Sequence, residues 1–301
     1  MATTLSAPVK KKSAPVKKKS ASAKKTPYIL ILPAAAWLGM FFVFPFMSLL
    51  ATSLYDPSGS VITGYSMAWR VQNFTEAFRD YWPYLLRSLM YAGIATAICL
   101  VLGYVLAYAM AFKAGRWKTV MLVLVVAPFF TSFLVRTLAW KLILGDDGWF
   151  VNLLKTIHVL PDGGHLLATP FAVVAGITYN FLPFMILPLY ASLEKIDHKL
   201  LEASQDLYAN PFQSFFKVTW PLSLPGVVGG VLLTFIPATG DYINAALLGS
   251  ANTQMVGNRI QVLFTKVGDY PHAGALSVIL LVLIVALVMV YVRKAGTEEL
   301  L

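Results

Sequence analysis

The chain has 301 residues, of which 58% are hydrophobic and only 13% charged. Soluble domains carry about 25% charged residues, so a soluble globular protein is excluded and an all-α polytopic membrane protein is expected. The formal net charge is +10, and the single cysteine, Cys99, excludes both an intrachain disulfide and a thiolate metal cluster.

Much of the positive charge lies at the start. Lys10, Lys11, Lys12, Lys17, Lys18, Lys19, Lys24 and Lys25 fall within a tandem repeat and its flank, Ser6-Ala-Pro-Val-Lys-Lys-Lys then Ser13-Ala-Pro-Val-Lys-Lys-Lys. No apolar bulk offsets the entropy of ordering there, so residues 1–27 read as a disordered basic cytoplasmic tail that touches anionic lipid rather than nucleic acid. Apolar runs follow at Tyr28–Leu54, Tyr84–Phe112, Thr119–Leu144, Leu167–Ser192, Leu222–Leu248 and Ala273–Val292. Each meets the roughly 20 residues needed to cross a bilayer, which predicts six transmembrane helices within a domain spanning 28–295, with a short tail at 296–301.

Of the other sixteen Lys and Arg, eight are scattered across outer segments and spans (Arg70, Arg79, Arg87, Arg136, Lys141, Lys155, Arg259 and Lys266), and the other eight arbitrate the topology. Lys113, Arg116 and Lys118, then Lys195, Lys199 and Lys217, then Arg293 and Lys294 fall in alternate connections on the same side as the lysine tail. The positive-inside rule places both termini in the cytoplasm. Asp56–Pro83, Gly145–His165 and Gly249–His272 are then outer loops with short interfacial helices.

The inner connection 194–221 is the longest polar-amphipathic stretch of the second half. Asp197 is placed to cap a short helix. Leu200, Ala203, Ser204, Leu207 and Tyr208 follow at the spacing of one helical face, with Lys199, Glu202, Gln205 and Asp206 off it. Asn210 and Pro211 read as cap and first residue of a second short helix, and Pro221 and Pro225 are expected to break it.

Charged residues inside spans are costly and usually functional. Three stand out: Arg136 and Asp241, read as a structural ion pair or as part of a transport path, and Lys141, read as a lysine snorkelling to headgroups. His158, His165, His198 and His272 fall at loops or loop ends and read as solvated. The chain has no G-x-x-x-x-G-K-[ST] phosphate loop and no H-E-x-x-H, so no catalytic residue and no metal ligand is assigned.

The segment Glu202-Ala203-Ser204, Tyr208, Ala209, Phe215, Val218, Pro221-Leu222 and Pro225-Gly226 resembles the EAA loop of ABC-importer permeases, E-A-A-x-x-x-G followed later by an aliphatic residue and L-P. Ser204 replaces the second Ala and Tyr208 replaces the Gly, so the bend is expected one turn later, at Asn210-Pro211. Asn73-Phe74, Phe78 and Leu86-Arg87-Ser88-Leu89 are similar to the family's entry to its second span. Thr131–Thr137, Gly240-Asp241-Tyr242, Leu247-Leu248-Gly249, Gly257–Gln261 and Pro271–Val278 narrow the resemblance to spermidine/putrescine-type permeases, whose subfamily also includes permeases for iron, phosphonate-type and other small solutes.

This resemblance implies a type I importer (MetI-like) permease fold in the plasma membrane of a prokaryote. It implies two ATPase subunits that bind the ATP and Mg, a second homologous permease and an extracytoplasmic substrate-binding protein. Asp197, Leu200, Glu202, Ala203, Ser204, Asp206, Leu207, Tyr208, Asn210 and Pro211 would form the ATPase-coupling element. For a polycationic solute, Asp241 supplies a carboxylate, and Tyr242, Tyr179, Phe181, Trp140 and Phe184 supply aromatic faces; with Arg136 they mark a candidate translocation path. The alternative is a membrane-embedded enzyme or scaffold that acts without an ATPase.

Overall fold

The computed structural model describes residues 26–295, with side chains from 31 to 294. The basic repeat and the tail at 296–301 lie outside the described residues. Among those described, all regular elements are helical, with two isolated bridges, Tyr55–Met67 and Ser60–Gly64. Five helices are long and apolar enough to cross a membrane, and six if one bent pair counts as a single span.

The described residues fall into two compact units, divided between Ser48 and Leu49. In the first, α1 (Thr26–Leu38) passes through a π turn, Gly39–Val43, into α2 (Phe44–Thr52). The wide turn sits just before Pro45, which lacks the N–H that a regular turn would use. Trp37, Phe41, Phe42 and Phe44 are exposed. Such a face is stable only in lipid or against another protein.

The second unit is organised by α3 (Gln72–Tyr108), α7 (Pro170–Leu193) and α10 (Trp220–Thr239), which pack on one another, with α13 (Tyr270–Ala295) against α3. Helix α3 continues through a π turn to Lys113. At 1.5 Å per residue its 42 residues measure about 60 Å, twice the hydrocarbon thickness of roughly 30 Å. The sequence-based outer loop therefore ends early: residues 72–83 are a helical extension of the second span, not a loop. Asn73 anchors its start, donating to the Ser53 and Tyr55 carbonyls at 2.9 and 2.8 Å.

At the same end His272 corrects the expectation of a solvated histidine. Its Nδ1 is 2.7 Å from Asp269 and its Nε2 3.1 Å from Glu76, which also pairs with Arg70 at 2.9 Å. Two carboxylates facing both ring nitrogens suit the imidazolium, which has two N–H donors. Burial alone would push the Asp269 carboxyl up, but the side-chain and backbone hydrogen bonds from His272 outweigh it and hold it below the usual carboxylate range.

The third apolar run does not form one helix. α4 (Lys118–Val126) ends in a 3₁₀ turn at Ala127–Phe130, and Thr131 and Ser132 are extended before α5 (Phe133–Leu144) and α6 (Trp149–Thr156). The two halves meet at 97°. Pro128 ends the first half, and the Thr131 hydroxyl donates to its carbonyl at 2.8 Å. The fifth run is also broken: α10 stops at Thr239, and α11 (Ile243–Leu248) begins after the turn at Gly240-Asp241-Tyr242. Helix α12 (Val256–Val262) closes over this break, where a Cβ on Gly257 would stand 2.5 Å from the Gly240 oxygen.

Candidate functional site

Two places gather the residues singled out by sequence. The first is the connection between α7 and α10. The Lys118 ammonium pairs with Glu194 at the end of α7 and, with Tyr190, holds that carboxyl below its usual range. Asp197 caps α8 (His198–Asp206), accepting from the Lys199 N–H at 3.0 Å. The predicted face is mostly left open, however. Ser204 alone is buried, whereas Leu200 and Ala203 are exposed, and Leu207 and Tyr208 are 81% and 97% exposed. Glu202 and Asp206 are exposed beside them.

The bend is at Tyr208 itself, not one turn later. Tyr208 has φ of +59°. Its N–H donates to the Gln205 carbonyl at 2.9 Å and that of Ala209 to the Ser204 carbonyl at 3.0 Å. These are the two bonds of a Schellman motif, whose left-handed position is usually glycine. A residue with a Cβ is held there at a cost of about 1–2 kcal/mol, so the loop keeps the glycine geometry without the glycine. The serine in place of the second alanine also has a role: its hydroxyl meets that of Ser214 at 2.7 Å, both buried, and ties α8 to the helix that follows.

That helix starts as expected and ends otherwise. Asn210 and Gln213 form a capping box, with Pro211 in the first turn of α9 (Pro211–Ser214). Pro221 and Pro225 do not break it. A π turn at Phe215–Thr219 carries α9 into α10, and the whole runs from Pro211 to Thr239. Pro221 sits in the first turn after the change of hydrogen-bond register, where a missing N–H costs least. The helix that starts at Pro211 is thus continuous with the fifth span.

The second place is the break after α10. Asp241, Tyr242 and Phe181 line one cavity of about 220 Å³ with Phe133, Pro237, Gly240 and Ile243. Asp241 is 7% exposed. Its Oδ1 accepts from the Ile243 and Asn244 backbone N–H groups at 2.8 and 3.1 Å, and its Oδ2 from the Asn244 amide. The carboxylate therefore caps α11, as expected of an anion at a helix N-terminus.

Tyr179 is elsewhere. Its ring meets Trp140 at a tilt, with centroids 5.4 Å apart, and lines a separate apolar cavity of about 310 Å³ with Leu106, Met110, Met121 and Pro128. Arg136 does not pair with Asp241: among the described residues no such ion pair exists. The guanidinium lies over Phe129 and Phe133 at 5.9 and 5.6 Å, and its Nε and Nη1 are buried without a partner. Lys141 is exposed. Sequence reading missed three polar residues behind Asp241, namely Thr137, Asn180 and Asn244, although Asn180 inside an apolar span was a visible signal.

A profile of the family described as "Binding-protein-dependent transport system inner membrane component" matches residues 100–295. The chain belongs to that family. It is the membrane-spanning permease subunit of an ABC importer, which works with an ATPase and a binding protein, and it is not an enzyme.

The permease is 39% identical over 259 residues to the "Spermidine/putrescine transport system permease protein PotB" of Haemophilus influenzae, covering 86% of this chain and 90% of that one. The protein of the same description from Escherichia coli is 34% identical, with 88% and 96% covered. Among solved structures, a bacterial ABC transporter that imports the acidic polysaccharide alginate contains a chain that superposes with a TM-score of 0.68. It shares 17% identity and covers 91% of this chain and 96% of that one, which supports the fold alone. The all-α, multi-pass permease fold expected from the sequence is thus established, in the inner membrane that the family description names.

Proposed function

We propose that this permease moves a polyamine, spermidine or putrescine, into the cell. The observation that carries this reading is the near full-length identity of 39% and 34% to two spermidine/putrescine permeases. The chemistry of the second site supports it. Asp241 is held by neutral donors only, so its charge is not cancelled, and Phe181 and Tyr242 line the same cavity. An ammonium group gains from a carboxylate and from aromatic faces together; an anionic phosphonate-type solute would gain nothing there.

In this reading one copy of the chain pairs with a second homologous permease and two ATPase subunits, which bind the ATP and Mg. Both termini and the 194–221 stretch lie in the cytoplasm, and an extracytoplasmic binding protein delivers the solute. Leu200, Glu202, Ala203, Asp206, Leu207 and Tyr208 face the ATPase, while Asp197, Ser204, Asn210 and Pro211 shape the element that carries them. Closure of the ATPases would push this element and, through the unbroken helix 211–239, the turn that bears Asp241. The solute reading is tested by uptake of labelled putrescine and spermidine in cells with and without this chain. Uptake that needs the chain and is competed by both unlabelled amines is expected. Uptake that is unchanged without the chain, in cells lacking other polyamine importers, overturns it.

A further inference from the structure

Three uncharged polar side chains converge behind Asp241 from three helices: Thr137 of α5, Asn180 of α7 and Asn244 of α11, all fully buried. The Asn180 amide donates to Thr137 Oγ1 at 3.2 Å and to Asn244 Oδ1 at 3.1 Å. Thr137 Oγ1 also stands 3.3 Å from Asn244 Oδ1. The Thr137 hydroxyl has one proton and also faces the Phe133 carbonyl at 3.1 Å, so the Asn180 N–H is the donor that holds the oxygen side of the Asn244 amide and orients it. Its nitrogen must then point the other way, and there it meets Asp241 Oδ2. Polar groups inside an apolar bundle are expensive unless satisfied, and these three, one on each helix, tie α5, α7 and α11 together. Asn244 goes further than the other two, since its amide N–H is also a defined donor aimed at one carboxylate oxygen.

We propose that Asn244, oriented by Asn180 and Thr137, is the positioning residue that presents Asp241 to a single primary ammonium group of the solute. The inference rests on the polyamine reading and deepens it. A lysine or arginine in place of Asn244 would hold the carboxylate equally well but would neutralise it; an amide steadies the oxygen and leaves the negative charge for a cation. The cavity of about 220 Å³ has room for a primary ammonium group and the methylenes next to it. Arg136 already lies over Phe133, so Phe181 and Tyr242 are the rings left to the ammonium.

The test uses the complete transporter in proteoliposomes and reads labelled putrescine moved per ATP hydrolysed. The wild-type ratio is compared with those of Asn244→Leu and Thr137→Val. Asn244→Leu removes the donor at similar volume, and the ratio is expected to fall roughly tenfold, the order of one hydrogen bond to a charged group. Thr137→Val should lower it in the same direction by a smaller factor, since it loosens the orientation and leaves the donor. A purely structural role lowers transport and hydrolysis in proportion and leaves the ratio unmoved. Wild-type ratios in both variants overturn the positioning role; if Asn244→Leu fails to insert, Thr137→Val decides. If wild-type transporter moves neither putrescine nor spermidine, the polyamine reading has failed instead.

Discussion

Reversing one exposed charge, Glu202→Lys, is expected to lower binding-protein-stimulated ATP hydrolysis and solute uptake together, by tenfold or more, while the protein still inserts and unfolds at the wild-type temperature. Glu202 lies on α8, where the only buried side chain is Ser204. The capping of the helix by Asp197 and its left-handed stop at Tyr208 do not involve Glu202, so a folding defect is not the expected cause. The exposed Leu207 and Tyr208 beside it leave an apolar patch with a charged margin, the composition of a docking face. Placing like charges across such a contact costs several kcal/mol, and each 1.4 kcal/mol is tenfold. Stimulated hydrolysis that stays at the wild-type rate would remove Glu202 from the contact.

Gly226→Leu is expected to deplete the folded protein itself. Helices α7 and α10 touch backbone to backbone along Gly226 and Gly230, four residues apart. A Cβ on Gly226 would stand 2.5 Å from Ser192 Cβ and 2.7 Å from the Pro188 oxygen; one on Gly230 would stand 2.7 Å from Met185 Sδ. Small residues at this spacing let membrane helices approach closely. The backbone oxygen of Pro188 cannot rotate away, so the change should exceed the roughly 1–3 kcal/mol typical of overpacking. Gly229→Ala is the internal control. Its new methyl would meet only Pro188 Cβ at 3.7 Å, and removing a mid-helix glycine gains up to about 1 kcal/mol. Thermal scans of both variants in detergent separate them; equal stability would place the helix contact elsewhere.

Much of the architecture was legible because it follows from long apolar runs, which need only be counted. What hydropathy could not show was where those runs break. Pro128 and Thr131 divide the third run and Gly240 the fifth, yet Pro221 and Pro225, equally conspicuous in sequence, leave the helix from Pro211 to Thr239 intact. The difference lies in hydrogen-bond register. A π turn delivers the chain to Pro221 at a point where no donor is needed, and an apolarity average carries no such information. Between α7 and α10, Asp197, Asn210 and Pro211 were readable from capping chemistry alone. Tyr208 was not, since a left-handed tyrosine breaks the usual preference and shows only in the backbone angle. At the second site Asp241 stood out as a charge in an apolar run. Its support was missed because Thr137, Asn180 and Asn244 lie on three separate helices and only folding brings them together. The Arg136–Asp241 pair drawn from charge alone does not form, because the carboxylate is already satisfied by the turn it caps.

The central claim is that the stretch between α7 and α10 faces the cytoplasm and bears on the ATPase. A cysteine at exposed Asp206 tests it directly, since the native Cys99 is buried and contributes little background. In membranes holding the assembled transporter, a short bifunctional maleimide should join Asp206→Cys to the ATPase subunit, with a yield that changes on adding ATP. Labelling of the same cysteine by an impermeant reagent applied outside intact cells, with no adduct to the ATPase, would contradict the account.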